Sequence, residues 1–316
     1  MTWQPFYVGD GTPRDVDLGE PPPWRSFPRQ ALYKEFQPPP GLVKAVNAAL
    51  VLRRPLLVTG AAGSGKSTVI EQVAAELKLG DVLRWHITSR STLKEALYRY
   101  DALGRIHAQR LGGPGGSDDI APFLQLGPLG TALLPVEHPR ALLIDEIDKS
   151  DLDLPSDLLD VLERGTFEIP ELSRFDTEAV IHVREWGGDE RSPARSPIKG
   201  GFVQCDSFPF IVMTSNGERD FPAAFLRRCI RFTMPKPTVD ELRRVVEAHL
   251  QLGQGTKRSQ EVDATIQDFA ERLTAGESLA IDQLLNAVHL LTGSGTLTGT
   301  EKQEVMDLVL RELSRA

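Results

Sequence analysis

The sequence predicts an α/β fold, a parallel sheet covered on both faces, followed by a small all-helical domain. Three observations predict it. Short apolar runs without alternation recur between about residues 55 and 234, separated by helical patterns, as strands buried on both faces require. A glycine-rich loop, Gly60-Ala61-Ala62-Gly63-Ser64-Gly65-Lys66-Ser67, lies between the first of these runs and a helix. After Pro237 the strand pattern stops and amphipathic helical spacing replaces it.

Residues 1–40 hold two triproline runs, Pro21-Pro22-Pro23 and Pro38-Pro39-Pro40, beside Trp3, Phe6, Trp24, Phe27 and Phe36. Proline fixes φ and removes a donor, so this reads as an extended arm whose aromatics pack on its own core or on a neighbouring subunit. Gly41–Leu52 reads as a helix. Leu56–Thr59 is a strand, Lys66–Leu79 a helix closed by Gly80, Val82–Thr88 a second strand, and Ser91–Tyr100 helical. A glycine-rich loop over 111–117 precedes a short helix at Gly127–Leu134. Ala141–Ile144, Phe208–Met213 and Cys229–Met234 are further buried strands, and Leu158–Arg164 is a helix. Between Gly165 and Pro209 the rhythm breaks. Thr166–Ile169 and Ala179–Trp186 read as the strands of a hairpin, and Gly187–Gly201 as an exposed loop. Thr238-Val239-Asp240-Glu241 has the form of a capping box, and Val262–Leu273, Ile281–Leu291 and Glu301–Leu313 are amphipathic helices.

The 316 residues carry a net charge of -8, which argues against a protein that coats nucleic acid. Two cysteines, Cys205 and Cys229, make no disulfide framework, and with six scattered histidines they give no metal-ligand spacing. The first residues lack a basic region followed by an apolar run, and no stretch reaches the ~18 apolar residues of a membrane span. The expectation is a cytoplasmic protein that uses no membrane.

Gly60–Ser67 fits G-x-x-x-x-G-K-[ST] in full. Its glycines let several N–H groups converge on one anion, and the helix that follows adds its positive end. Gly60, Ala61, Ala62, Gly63, Ser64, Gly65, Lys66, Ser67 and Thr68 are therefore candidate ligands of a nucleotide. Lys66 would reach the β- and γ-phosphates, and Ser67 would ligate Mg²⁺. Ala141-Leu142-Leu143-Ile144-Asp145-Glu146 delivers two carboxylates to the edge of the sheet where that loop lies. Asp145 would hold Mg²⁺, and Glu146 would polarise the attacking water. Asp148 and Lys149 read as solvated charges. Phe208–Asn216 is another buried strand ending in a polar cluster, where Asn216 would contact the γ-phosphate or the water; alone, it would read as a turn asparagine. Arg227-Arg228, before the last strand, suits a neighbour's γ-phosphate, with a surface ion pair as the competing reading. The whole describes a three-layer P-loop NTPase sheet followed by an all-helical lid domain.

This order of motifs resembles the AAA+ ATPases and, more narrowly, their MoxR-like branch. Leu126-Gly127-Pro128-Leu129-Gly130-Thr131-Ala132-Leu133-Leu134 is similar to that branch's G-P-L-x-x-A-L-L helix. Ile144–Asp151, Leu158–Glu163 and Phe167–Pro170 are also close to its pattern. The resemblance runs from about Pro39 to the C-terminus. It implies a homo-hexameric ring with ATP and Mg²⁺ between subunits, completed by an arginine finger that Arg228 matches best, with Arg227 beside it. It implies a chaperone-like role in remodelling or switching a partner protein, often one with a von Willebrand factor A domain. The domains are then an arm (1–40), an α/β domain (41–236) with insertions at about 100–126 and 167–201, and a helical lid (237–316). One departure stands out: where many lids place an arginine, this sequence has Asp282. No Asn/Thr-Lys-x-Asp motif reads guanine, which favours ATP over GTP. Two readings compete. One is a nucleic-acid-directed NTPase of a restriction or defence system, supported only by Arg191, Arg195 and Lys199, which Asp189 and Glu190 offset. The other is a small-molecule kinase, which leaves Asn216 and the arginines without a role.

Overall fold

The computed structural model describes residues 7, 9–17, 21–26, 36–111, 119–174, 180–188, 192–250, 260–277, 279–292 and 299–311. The chain divides into two compact units. One comprises Pro38–Thr59 and Ser67–Thr233, the other Met1–Gln37, Gly60–Lys66 and Met234–Ala316.

The first unit is built on five parallel strands: β1 (Leu56–Thr59), β2 (Leu83–His86), β5 (Ala141–Asp145), β10 (Phe210–Ser215) and β11 (Ile230–Thr233). Their order is β11-β1-β10-β5-β2. Leu56 aligns with Val212 on one side and Ile230 on the other, and Ile144 lies between Met213 and Trp85. The central strands are apolar at successive positions because both faces are covered, so Leu142, Leu143, Ile144, Ile211, Val212 and Met213 are all fully buried. Each such side chain contributes about 1.5–3 kcal/mol on leaving water.

Helices α1 (Leu42–Leu52), α2 (Thr68–Leu77) and α5 (Pro128–Ala132) pack on these strands. The helix α6 (Leu154–Arg164) buries Leu154, Leu158, Leu159 and Leu162, a single helical face. It begins four residues earlier than its apolar spacing predicts, because Pro155 fits the first turn of a helix. The helix α2 ends at Leu77 rather than Leu79. Lys78 adopts the left-handed conformation (φ 55°) as its cap, ahead of the predicted Gly80.

Three expectations change around the sheet. The helix expected over Ser91–Tyr100 is α3 (Leu93–Leu97), and Tyr98–Tyr100 is instead a strand, β3. Its tyrosines favour extended backbone, and it pairs antiparallel with β4 (Leu124–Leu126). Between them lies α4 (Ala102–Leu111), while the glycine-rich 112–117 lies outside the described residues.

The expected hairpin is also different. The strand β6 (Thr166–Glu168) precedes a short helix, α7 (Pro170–Ser173), and pairs not with the next strand but with β9 (Phe202–Gln204). The partner of β7 (Val180–Arg184) is β8 (Arg195–Lys199), antiparallel and in full register. The segment expected as an exposed loop therefore contains a strand whose Ile198 is buried. Pro197 and the exposed Arg195 and Lys199 on its outer face hide this strand from a pattern search, and Ile198 is its one buried residue. Arg140 Nη1 donates to Glu185 Oε2 at 2.7 Å and Ser196 Oγ to Glu185 Oε1 at 2.6 Å, tying the hairpin down. Burial raises the Glu185 carboxyl's proton affinity, but these two bonds outweigh it and hold the group below the usual carboxylate range. The sequence expectations on residues 175–179 and 189–191 lie outside the described residues.

The second unit is a helical bundle of α9 (Val239–Leu250), α10 (Gln260–Ala275), α11 (Ile281–Thr292) and α12 (Gly299–Val309) around Leu242, Val246, Ile266, Phe269, Leu284 and Val288. The expected capping box is formed. Thr238 Oγ1 accepts from the Glu241 N–H at 3.3 Å, and Glu241 Oε2 accepts from the Thr238 N–H at 2.7 Å. Trp24 of the arm packs edge-on against His289 at 5.6 Å and joins this core. Trp3, Phe6 and Phe27 lie outside the described residues. Among the described residues no helix is long and apolar enough to cross a membrane.

Candidate functional site

Parallel pairing places the C-terminal ends of all five strands on one edge, and Ser67, Asp145, Glu146 and Asn216 lie there. His86 ends β2, Asp145 ends β5 and Ser215 ends β10, while Ser67 precedes α2. Insertion of β10 between β1 and β5 brings Thr214 beside Asp145.

Asp145 is the hub. Its Oδ1 accepts from Ser67 Oγ at 2.9 Å and from Thr214 Oγ1 at 2.6 Å. The Thr214 hydroxyl in turn accepts from the Glu146 N–H at 2.9 Å. Glu146 has φ 61°, a left-handed conformation that is rare for a residue with a side chain and that turns the chain sharply off the strand end. Its Oε2 accepts from Lys149 Nζ at 2.8 Å and lies 3.6 Å from His86 Nε2. The Glu146 carboxylate beside Lys149 raises that ammonium's pKa.

Asp148 is not the solvated charge its position suggested. It is 5% exposed, and its Oδ2 accepts from the N–H groups of Asn216 (2.9 Å) and Glu218 (3.2 Å). Arg219 Nη1 donates to the Ser150 carbonyl at 2.7 Å. The loop that carries Asn216 is thus pinned to the turn that follows Glu146. His86, Thr214 and Arg219 carry no role in the sequence reading. The one available signal was Thr214, a polar residue inside an otherwise apolar buried strand.

In the loop 60–66, Gly60, Gly63 and Gly65 have φ of 151°, 73° and 81°. A Cβ on Gly60 would stand 2.8 Å from Met234 Cβ, and one on Gly63 would stand 3.0 Å from the Ile281 nitrogen. Positive φ and lack of room together require glycine at both. Lys66 is 7% exposed, and its Nζ donates to the carbonyls of Gly60 (2.8 Å) and Ala61 (2.7 Å), which folds the side chain back over the loop. Ser64 Oγ is buried without a hydrogen-bond partner among the described residues, a polar atom that suits an anion seated in the loop. Phe36 of the arm lies against Gly65, and Asp282 is exposed in the first turn of α11.

This parallel sheet has the P-loop NTPase fold. Its strand order and the glycine-constrained loop between β1 and α2 carry that statement. Among the described residues no three His, Cys, Asp or Glu side chains form a metal site by themselves. The residues present nonetheless fit Mg²⁺, because Ser67 and Asp145 bring two hard oxygens together, and phosphate and water oxygens would fill the remaining positions.

The arginines lie elsewhere. Arg227 and Arg228 precede β11, at the opposite edge of the parallel sheet from Asp145. The Arg228 guanidinium forms an ion pair with Glu163 of α6, with Nη2 3.2 Å from Oε2, while Arg227 is exposed. The Arg228 guanidinium holds the Glu163 carboxyl below its usual range.

No family model matches the chain. A stretch of 129 residues, 40% of the chain, is 30% identical to midasin from Dictyostelium discoideum, and the match spans 2% of that protein's length. Among solved structures, NtrX from Brucella abortus aligns at TM-score 0.49 and 15% identity, over 84% of this chain and 54% of that one. Domain III of the replication initiation protein DnaA from Thermotoga maritima aligns at 0.43 and 16%, over 89% and 95%. A point mutant of RuvB from Thermotoga maritima aligns at 0.44 and 17%, over 85% and 67%.

Proposed function

We propose that this chain is an ATP hydrolase of the AAA+ class, similar to the MoxR-like branch, and that it works as an oligomeric ring on a partner protein. The observation that carries the reading is the contact of Ser67 Oγ with Asp145 Oδ1 at the end of β5, with Glu146 next in the chain and Asn216 pinned beside it. Ser67 directly follows Lys66 and the glycine loop. The loop would bind the phosphates, Lys66 would neutralise their charge, and Ser67 and Asp145 would hold Mg²⁺, which would supply charge to offset that of the phosphate oxygens. Glu146 takes up a proton from water at its carboxylate, and Asn216 orients that water or the γ-phosphate. In this structure the Glu146 carboxylate is held by Lys149, so catalysis requires that pairing to open or to share its oxygens.

Lys66→Ala should abolish tight ATP binding, whereas Glu146→Gln should keep binding and lose hydrolysis. Titration with a fluorescent ATP analogue and a phosphate-release assay separate the two. Equal turnover by Glu146→Gln and wild type refutes the assignment of Glu146. The ring, the MoxR-like role and a partner with a von Willebrand factor A domain belong to the same proposal, supported by the segment Gly127–Pro170. Lack of any change in turnover on adding DNA favours a protein partner over nucleic acid.

A further inference from the structure

We propose that Asp148 is a positioning residue for hydrolysis: its buried carboxylate clamps the Asn216 loop against the turn that carries Glu146, and so fixes the spacing of the two groups that meet the attacking water. The inference rests on the ATPase reading above and names a residue that reading does not require.

The observations are geometric. Asp148 lies two residues beyond Glu146 in a tight turn, and Ile147 beside it is fully buried. One carboxylate oxygen accepts from two backbone N–H groups, those of Asn216 and Glu218, some 70 residues further along the chain. Asp148 Oδ1 is buried with no hydrogen-bond partner among the described residues. Sequestering a carboxylate from water is costly, and a charge left with one oxygen unsatisfied is kept only where its other contacts repay it. Here the contacts repaid are backbone amides, so they fix main-chain position whatever side chain follows. Arg219 closes the same loop from its far side through Ser150, and the Gly217 N–H donates to Ser215 Oγ at 3.0 Å. The strand ends are already tied by Thr214 between Asp145 and Glu146. Asp148 extends that tie beyond the strands, to the one segment where Asn216 has left the sheet. Arg219 ties the far end of the same loop to Ser150, whereas Asp148 holds the N–H of Asn216 itself.

The test uses the full chain and steady-state phosphate release. Asp148→Ala should lower kcat by about tenfold or more and leave the KM for ATP within about twofold, since misplacement of a reacting group by about an ångström costs up to ~100-fold. Asp148→Asn keeps an oxygen that accepts both N–H groups and should retain at least about one third of the wild-type kcat. In an Asn216→Ala background, Asp148→Ala should slow turnover no further. Amide exchange should show Asn216 and Glu218 protected in the wild type and exchanging faster in Asp148→Ala. If the alanine protein does not fold, Asp148→Ser, too short to span both amides, carries the same expectation. Unchanged kcat, or effects of Asp148→Ala and Asn216→Ala that multiply in the double variant, overturn the positioning role while leaving the ATPase reading intact. A wild type that releases no phosphate under any condition overturns the ATPase reading, and this role with it.

Discussion

Thr214 shows what a single residue decides at this site. It is fully buried in a strand of apolar neighbours, and its hydroxyl both donates to Asp145 Oδ1 and accepts from the Glu146 N–H. Thr214→Val keeps shape and β-propensity but removes both bonds, leaving a buried N–H and a carboxylate oxygen each one partner short. The expected cost is about 1–3 kcal/mol in denaturant unfolding, with a drop in phosphate release and little change in ATP affinity. Unchanged stability would show that the hydroxyl is not the link between the two acids. The residues legible beforehand were those whose meaning is local. Gly60–Ser67 is a spacing, and Asp145 is a polar end to an apolar run. Asp148 was misread because its partners lie about 70 positions away, and nothing in the neighbouring letters reports a distant backbone N–H. His86 was missed for the same reason: its carboxylate neighbours come from another strand.

At the scale of elements, the central strands β1, β5 and β10 were readable because burial on both faces writes continuous apolar runs, whereas the edge strands β2 and β11 alternate, and β11, expected as a buried strand, is only half-buried. The hairpin pairings were not readable. β6 and β9, like β7 and β8, are short and half-exposed, and α7, β7 and β8 lie between β6 and β9 in the chain, so apolar content does not fix which strand meets which. The segment Gly127–Leu134 was recognised by resemblance, and the structure supplies a physical reason for its glycines. A Cβ on Gly127 would overlap the carbonyl oxygens of Glu95 and Ala96, and one on Gly130 that of Leu97. Helix α5 therefore lies directly on the end of α3, with the Gly127 N–H donating to the Leu97 carbonyl at 2.9 Å. Gly130→Ala sets two effects against each other. Helix propensity gains about 1 kcal/mol, but the methyl group must push rigid backbone apart rather than a side chain. Overpacking against fixed atoms costs about 1–3 kcal/mol or more, so the clash should win. The melting temperature should fall by at least ~3 °C in thermal unfolding. A rise would mean that α5 shifts freely and that the close approach has no structural weight.

For the whole molecule the decisive question is where a cation for the γ-phosphate comes from. Asp145 and Glu146 stand at the C-terminal edge of the sheet, whereas Arg227 and Arg228 stand at its N-terminal edge beside β11. Three strand spacings separate β11 from β5, roughly 14 Å, and the four residues of β11 add roughly 13 Å along the strand. That diagonal is well beyond the reach of an arginine side chain, so Arg228 does not serve its own site. On the AAA+ resemblance, the position where many lids place an arginine is Asp282, which has the wrong sign for a phosphate. In the isolated chain Arg228 is occupied by Glu163, a surface pair of the kind worth little in stability, so transfer to a neighbour's phosphate is not strongly opposed. An arginine supplied in trans contributes on the order of 10³-fold or more in such sites. Lys66→Ala and Arg228→Ala should therefore each be inactive alone. Mixed under conditions where subunits demonstrably exchange, they should recover activity, because a Lys66→Ala subunit still lends Arg228 to an Arg228→Ala subunit whose loop is intact. Phosphate release by the mixture, measured against each parent and against total protein concentration, reads this directly. A mixture as inactive as its parents, or a dilute monomer that hydrolyses ATP at the full rate, would place the missing cation inside the chain and remove the reason for a ring.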